Sequence, residues 1–304
     1  MRAAWYLAYT FGNNLMVTRL RCVCGVRFLV MAPLTHTPIT SRANARVKQL
    51  RAALAGNARL AGGMVALEGE TMLREALRSG LPLRAVFISE GIEAPAWLPE
   101  GVEVLVVVAE VFASAVDTQH PQGIAALVET REWTLEAIRT SNPLMLVAVG
   151  LQDPGNLGTL IRSAEAFGAT AVLTTPGTVS AWNQKAMRAS AGSVFRVPVV
   201  EVTEGEIAAM KAQGVRFYAA VAGAGGGASV SAIQAAYASA CALMIGNEGA
   251  GLGPEWLALA DECITIPMPG RVESLNAAVA GSLLLFEAYR QRAQLVPHNS
   301  ESAL

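Results

Sequence analysis

The sequence predicts an α/β protein in which a parallel-sheet domain follows a smaller α/β unit. Three observations point that way. After residue 143, five apolar runs alternate with helical segments: LMLVAVGL (144–151), TAVLTT (170–175), RFYAAV (216–221), CALMIG (241–246) and CITIP (263–267). Runs that are apolar throughout suit strands buried on both faces of a parallel sheet. Before residue 130 the pattern is shorter and mixed, with strands and helices interleaved. The chain has 304 residues, 53% of them hydrophobic and 15% charged, which is long enough and apolar enough for two cores and excludes wholesale disorder.

Residues 1–35 carry no assignable pattern and are expected to be an N-terminal extension of little order. A first domain is read over 36–130. Within it, SRANARVKQLRAALA (41–55) is expected to be a helix with Ser41 as N-cap. GGMVALEG (62–69), LRAVFIS (83–89) and EVLVVV (103–108) read as strands, with REAL (74–77) on a helix between the first two. TQHPQGIAALVE (118–129) reads as a turn and a strand. The polar stretch before Pro143 supplies a linker over 131–143. The second domain is read over 144–293, and 294–304 form a tail.

Charge is unevenly placed. Residues 1–67 hold eight Arg and one Lys with no acid, leaving 14 basic against 24 acidic residues for the rest. Such asymmetry suggests an N-terminal part that meets a polyanion, RNA or DNA. Cys22, Cys24, Cys241 and Cys263 are scattered and His36, His120 and His298 lie elsewhere, so neither a metal site nor a disulfide framework is expected. Residues 3–18 lack charge but are broken by Gly12, Asn13 and Asn14, and the charge-free stretch 217–247 contains GAGGGAS (223–229). Neither reads as a membrane span, and the chain is expected in the cytoplasm.

In a parallel sheet, ligands bind outside the carboxyl ends of the strands. The loops leaving those strands read QDPGNLGT, PGTVSAWNQKA, GNEGAGLG and PMPGRVESLN. They are rich in Gly, Asn and Pro and sparing in charge, a composition that lets backbone groups approach a flat heterocycle and its ribose. No GxGxxG fingerprint follows a strand and no GxxxxGK[ST] loop is present. The 144–292 segment contains no histidine, which leaves a hydrolase triad unsupported. One charge stands out: Arg162, on a helix whose only other charge is Glu165.

Three blocks, GNLGTLIRSAEAFGA (155–169), IGNEGAGL (245–252) and IPMPGRVESLNAAVAGSLLLFEAYR (266–290), resemble motifs 1, 2 and 3 of the SpoU/TrmH group of SPOUT methyltransferases, in order and in spacing. SRANARVKQL and LEGETMLREAL, within 41–129, resemble the L30e-like substrate-binding domain that precedes the catalytic domain in many rRNA members. The resemblance implies a trefoil-knotted parallel-sheet domain that binds S-adenosylmethionine without a metal. It also implies a homodimer packed through the knot helices, and methyl transfer to a ribose 2′-hydroxyl of RNA, most simply 23S rRNA. DNA, lacking that hydroxyl, is not an expected substrate.

By the same resemblance the catalytic set is Asn156, Arg162, Glu248, Ser274 and Asn276. Arg162 is expected to stabilise the developing alkoxide, with Asn156 orienting it or the ribose and Glu248 its natural ion-pair partner. The cofactor set is Ile245, Gly246, Asn247, Gly251, Ile266, Met268, Ser274 and Leu275. Ser274 is also read as the N-cap of the last helix, whose apolar face (Leu275, Val279, Leu283, Phe286) would line the dimer seam. Arg271 and Glu273 are read as solvent-facing. Arg42, Arg46, Lys48, Arg51 and Arg59 form a basic cluster suited to RNA phosphates. Two departures, Ser163 where Thr is usual and Ala277–Ala278 where Val–Ser is often seen, leave these residues untouched. The alternatives are the same chemistry on tRNA, or a non-catalytic RNA-binding assembly factor.

Overall fold

Each apolar run becomes a strand, and the strands sort into two sheets. The computed structural model describes residues 37–55, 59, 60, 62–116, 118, 121–223 and 229–295. The expectations for 1–35 lie outside these residues, as do those for the tail beyond 295 and for most of GAGGGAS.

The first unit contains α1 (Ala45–Ala55), β1 (Met64–Glu68), α2 (Glu70–Arg78), β2 (Leu83–Ser89), β3 (Glu103–Val107), α3 (Ala109–Ala113) and β4 (Ile124–Glu129). Its sheet has the order β1-β4-β2-β3, antiparallel except for the β2–β3 pair. Helix α1 starts later than expected. Ser41 and Asn44 instead close a turn, with the Asn44 N–H donating to the Ser41 carbonyl at 3.1 Å, and the Asn44 side chain accepts the Arg46 N–H at 2.8 Å. Asn44 therefore holds the helix start in place of Ser41.

The second unit runs β5 (Leu144–Ala148), α4 (Pro154–Ala166), β6 (Ala171–Thr174), α5 (Gln184–Ala189), β7 (Val199–Glu201), α6 (Glu204–Ala212), β8 (Arg216–Ala220), β9 (Val230–Ser231), β10 (Cys241–Ile245), α7 (Pro254–Leu259), β11 (Glu262–Thr265) and α8 (Ala277–Ala293). The seven strands are ordered β7-β6-β5-β10-β8-β11-β9, and every pairing is parallel. The central strands β5 and β10 are buried at every position, which is why their sequences show no alternation. Among the described residues no helix is long and apolar enough to cross a membrane.

Helix α8 begins at Ala277, two residues later than a cap at Ser274 would place it, and its N-cap is Asn276: the Asn276 Oδ1 accepts the N–H groups of Ala278 (2.9 Å) and Val279 (3.2 Å). Ser274 therefore belongs to the preceding loop, as does Leu275. The stretch 131–143 is no slack tether, since Ile138 is buried and Trp133 and Leu135 pack against the core on one face of the large sheet. On the other face one apolar cluster passes from Val65, Leu67 and Leu73 in the first unit to Leu157, Ile161 and Phe195 in the second.

Helix α4 crosses α5 at Gly158, where backbone lies against backbone. A methyl group there would fall 2.3 Å from the Ala186 carbonyl oxygen and 2.6 Å from the Ala189 Cβ. Neither neighbour is the free end of a flexible side chain. Gly158→Ala is expected to lower stability by about 1–3 kcal/mol through overpacking, read as a lower urea midpoint at unchanged m-value.

Candidate functional site

The carboxyl ends of β10, β11 and β8 open onto a cavity of about 560 Å³, within the range of small-molecule sites. Its walls come from the end of β8, the loop after β10 and the loop between β11 and α8. The loop after β10 folds back on itself. Asn247 and Gly251 exchange backbone hydrogen bonds (3.0 and 2.9 Å), and the Asn247 side chain accepts the N–H of Gly249 (2.9 Å) and of Ala250 (3.2 Å) while donating to the Gly150 carbonyl (2.9 Å). Gly246 must be glycine, because a Cβ would sit 2.3 Å from the Gly251 carbonyl carbon. Gly251 completes the turn with φ +69°.

All eight residues of the expected cofactor set line this cavity: Ile245, Gly246, Asn247, Gly251, Ile266, Met268, Ser274 and Leu275. Apolar side chains alternate there with open backbone, a surface that fits the adenine and ribose of S-adenosylmethionine. Sequence reasoning missed the wall supplied by Ala220, Val221 and Ala222 at the end of β8. The usable signal was the strand itself, because its exit lies at the same sheet edge as the other loops. Among the described residues no group of acids, cysteines or histidines could hold a metal ion.

Three of the expected catalytic residues form one hydrogen-bond chain. The Asn276 Nδ2 donates to the Asn156 Oδ1 at 3.0 Å, and the Asn156 Nδ2 donates to the Glu248 Oε1 at 2.9 Å. Its direction is fixed by α8. The two backbone N–H groups at the start of that helix require an oxygen on Asn276, so the amide nitrogen faces Asn156, and the same logic turns the Asn156 nitrogen toward Glu248. The Glu248 carboxylate also accepts the backbone N–H groups of Gln152 and Asp153, each at 3.3 Å, at the start of α4. Burial works against its charge, but the Asn156 amide and these backbone donors outweigh it and hold the carboxyl below the usual range. Asp153 caps α4 by accepting the Asn156 N–H (2.9 Å). That bond and the Lys185 ammonium at 3.2 Å lower its pKa in turn.

Arg162 does not join this chain. It is exposed, lies off the cavity wall, and has no hydrogen-bond or ion-pair partner among the described residues. The expected Arg162–Glu248 pair is thus absent, for a helical reason. Six residues separate Asn156 from Arg162, which at about 100° per residue points them to faces roughly 120° apart. Ser274 lines the cavity, outside the amide chain.

The five residues of the expected basic cluster differ in how far protein partners occupy them. Arg51 donates to the carbonyl and hydroxyl of Ser114 (both 3.1 Å), and Arg59 bonds the Arg131 carbonyl (3.2 Å) and lies 5.7 Å from the centre of the Trp182 ring. Arg46 pairs with Glu103 at 2.7 Å. Arg42 and Lys48 remain exposed and unpaired among the described residues.

Comparison with known proteins agrees with this geometry. Residues 143–286 match the SpoU rRNA Methylase family, and residues 44–126 match the MRM3-like substrate binding domain. The chain is 33% identical to the Bacillus subtilis 23S rRNA (guanosine(2553)-2'-O)-methyltransferase RlmP over 82% of its own length and 97% of that protein's. It is 32% identical to a Streptomyces viridochromogenes 23S rRNA (uridine(2479)-2'-O)-methyltransferase over 84% of its length and 92% of the other's. The crystal structure of the SpoU methyltransferase AviRb from the same organism, in complex with AdoMet, superposes with a TM-score of 0.71 at 30% identity, over 82% of this chain and 98% of that one. Parallel sheet, glycine-walled cavity and these likenesses together define an S-adenosylmethionine-dependent RNA methyltransferase. The chain belongs to the SpoU rRNA methylase family.

The lowered pKa of Glu248 has a testable consequence. A carboxyl depressed in the folded state stabilises the fold above its unfolded pKa, and that contribution disappears as pH falls through the folded value. Urea unfolding followed from about pH 7 to pH 3 should show Glu248→Gln less stable than wild type at neutral pH, with the difference shrinking toward acid.

Proposed function

We propose that the protein methylates a ribose 2′-hydroxyl of 23S rRNA. The observation that supports this reading most directly is the cavity, walled by the loops the family uses for its methyl donor, beside a hydrogen-bond chain of Asn276, Asn156 and Glu248. S-adenosylmethionine supplies, when bound, a methyl group already activated on a sulfonium. What is left to the protein is to hold the acceptor and to favour loss of its hydroxyl proton.

Arg162 fits that second task. An arginine stays protonated at any working pH, so it serves as a fixed positive charge rather than a proton acceptor. Its guanidinium stabilises the alkoxide that develops at the 2′-oxygen as the hydroxyl proton passes to solvent water, and grips a neighbouring phosphate. Glu248 is a weak base, since its carboxylate is held in the charged form by the Asn156 amide and the Gln152 and Asp153 N–H groups, and burial does not reverse this. Its task is to fix Asn156 and the start of α4. Arg42 and Lys48, with their charges uncommitted, are the first-unit residues best placed to meet phosphates.

The protein works in this reading as a homodimer in the cytoplasm. Val279, Leu283, Phe286 and Tyr289 are 45–48% exposed along one side of α8, and Phe167 packs its ring 5.6 Å from that of Phe286. An apolar stripe of this kind on a helix suits a protein–protein seam. Leu283→Asp is expected to convert the dimer to a monomer in sedimentation velocity; a wild type that already sediments as a monomer would overturn the assignment.

The function is tested by transfer of labelled methyl from S-adenosylmethionine to total rRNA and, separately, total tRNA. Label should enter rRNA as 2′-O-methylnucleosides. Arg162→Ala should cut the rate by roughly 10²–10³ while leaving S-adenosylmethionine affinity near wild type, because Arg162 lies off the cavity wall. Label confined to tRNA would move the substrate, and full activity in the variant would remove Arg162 from the mechanism.

A further inference from the structure

The segment 182–196 runs beside α4 in the same direction, like a shim along its flank. Gly155 lies against the Lys185 side chain, Gly158 against Ala186 and Ala189, and Glu165 against Arg196. The other side of this segment touches the first unit. The Gln184 Nε2 donates to the Ala66 carbonyl at 2.8 Å, and a Cβ on Gly192 would meet the Glu75 Cβ at 2.9 Å. The backbone takes left-handed conformations at Ala191 (φ 49°) and Gly192 (φ 85°) where it meets α2. For alanine that conformation is disfavoured, and such strain often marks a site where geometry matters to function.

Arg196 closes the arrangement. Its Nε and Nη2 bind the two carboxylate oxygens of Glu165, the latter at 3.0 Å. Its Nη1 donates to the Glu75 Oε2 at 3.2 Å and to the Ser79 Oγ at 2.9 Å. One planar guanidinium thus grips α4 with two nitrogens and the first unit with the third. Lysine, with a single ammonium, cannot hold both groups in this fork geometry.

Glu165 lies one helical turn beyond Arg162 on α4. The opposite end of the same helix is tied to the cavity through Asn156 and Glu248. The helix carrying Arg162 is therefore fixed at one end to the donor site and at the other to the unit that matches a substrate-binding domain. We infer that Arg196 is a positioning residue for methyl transfer, setting where RNA held by the first unit presents its ribose to Arg162 and the cavity. This rests on the function proposed above and names a residue that acts through Glu165 and Glu75 rather than on substrate.

The test compares wild type, Arg196→Lys and Glu75→Gln as full-length chains in rRNA methylation, with S-adenosylmethionine affinity by calorimetry and the melting temperature measured alongside. Lysine keeps the charge and loses the fork; Glu75→Gln weakens the grip on the first unit and leaves the Glu165 pair intact. RNA still binds the first unit in both variants, so KM for RNA should change little. The misplaced ribose should lower kcat by about 10- to 100-fold in Arg196→Lys, and by less in Glu75→Gln, with donor affinity unchanged. Unchanged kcat in both variants would overturn the inference. So would donor affinity, kcat and melting temperature falling together, which is the pattern of a merely structural bond. Wild type that methylates normally beside unaffected variants removes only this inference, whereas wild type that transfers no methyl to rRNA removes the proposed function and this inference with it.

Discussion

The site depends on a chain of amides that begins at the backbone of one helix and ends on a single carboxylate. Asn276 caps α8, passes its remaining donor to Asn156 on α4, and Asn156 passes its own to Glu248 in the loop after β10. Three elements far apart in sequence are thereby set against one another at the carboxyl edge of the sheet. Each link leaves its neighbour one choice of orientation. The Glu248 carboxylate, reached also by the first N–H groups of the α4 region, is where these donors converge, and an ionised acceptor suits the positive end of a helix.

Around that chain the labour is divided by helix face. One side of α4 carries Ser163, which hydrogen-bonds Ser282 of α8 at 2.7 Å. A second side, built on Gly158 and Glu165, lies against the 182–196 segment. Between them an exposed strip carries Thr159, Arg162 and Ala166. An arginine placed on that strip keeps its charge uncommitted in the folded chain, as a group must if it is to meet a substrate's charge rather than an internal partner. The same economy explains why so many other arginines, among them Arg51, Arg196 and Arg292, are occupied by protein acceptors.

Much of this was legible from sequence where the signal is local. Strands such as 144–148 and 241–245 were readable because a strand buried on both faces must be apolar at every position, and the cavity loops because close backbone approach requires glycine. Helix starts were read less well: Ser41 and Ser274 have the right chemistry for a cap, but Asn44 and Asn276, a few residues on, have it too, and tertiary contacts decide between them. The basic cluster could not be resolved from composition, since an arginine facing RNA and one tied to a serine carbonyl look alike in a sequence. The role of Arg196 was invisible for a related reason. Its partners Glu75 and Glu165 lie 121 and 31 residues away, and no local pattern encodes such a meeting.

The fixed polarity of the amide chain also determines what the loss of a single amide nitrogen would do. Asparagine side chains hydrolyse slowly to aspartate, a change that hardly alters size or shape. At Asn156 or Asn276 it would replace a donor by an acceptor and set a new negative charge facing Glu248 or the Asn156 oxygen. Oxygen would then face oxygen across a gap closed until then by a hydrogen. A lesion that packing tolerates would thus open the circuit that holds the donor cavity to the arginine helix. The site thus tolerates no exchange of amide for carboxylate at Asn156, nor at the asparagine that also caps α8.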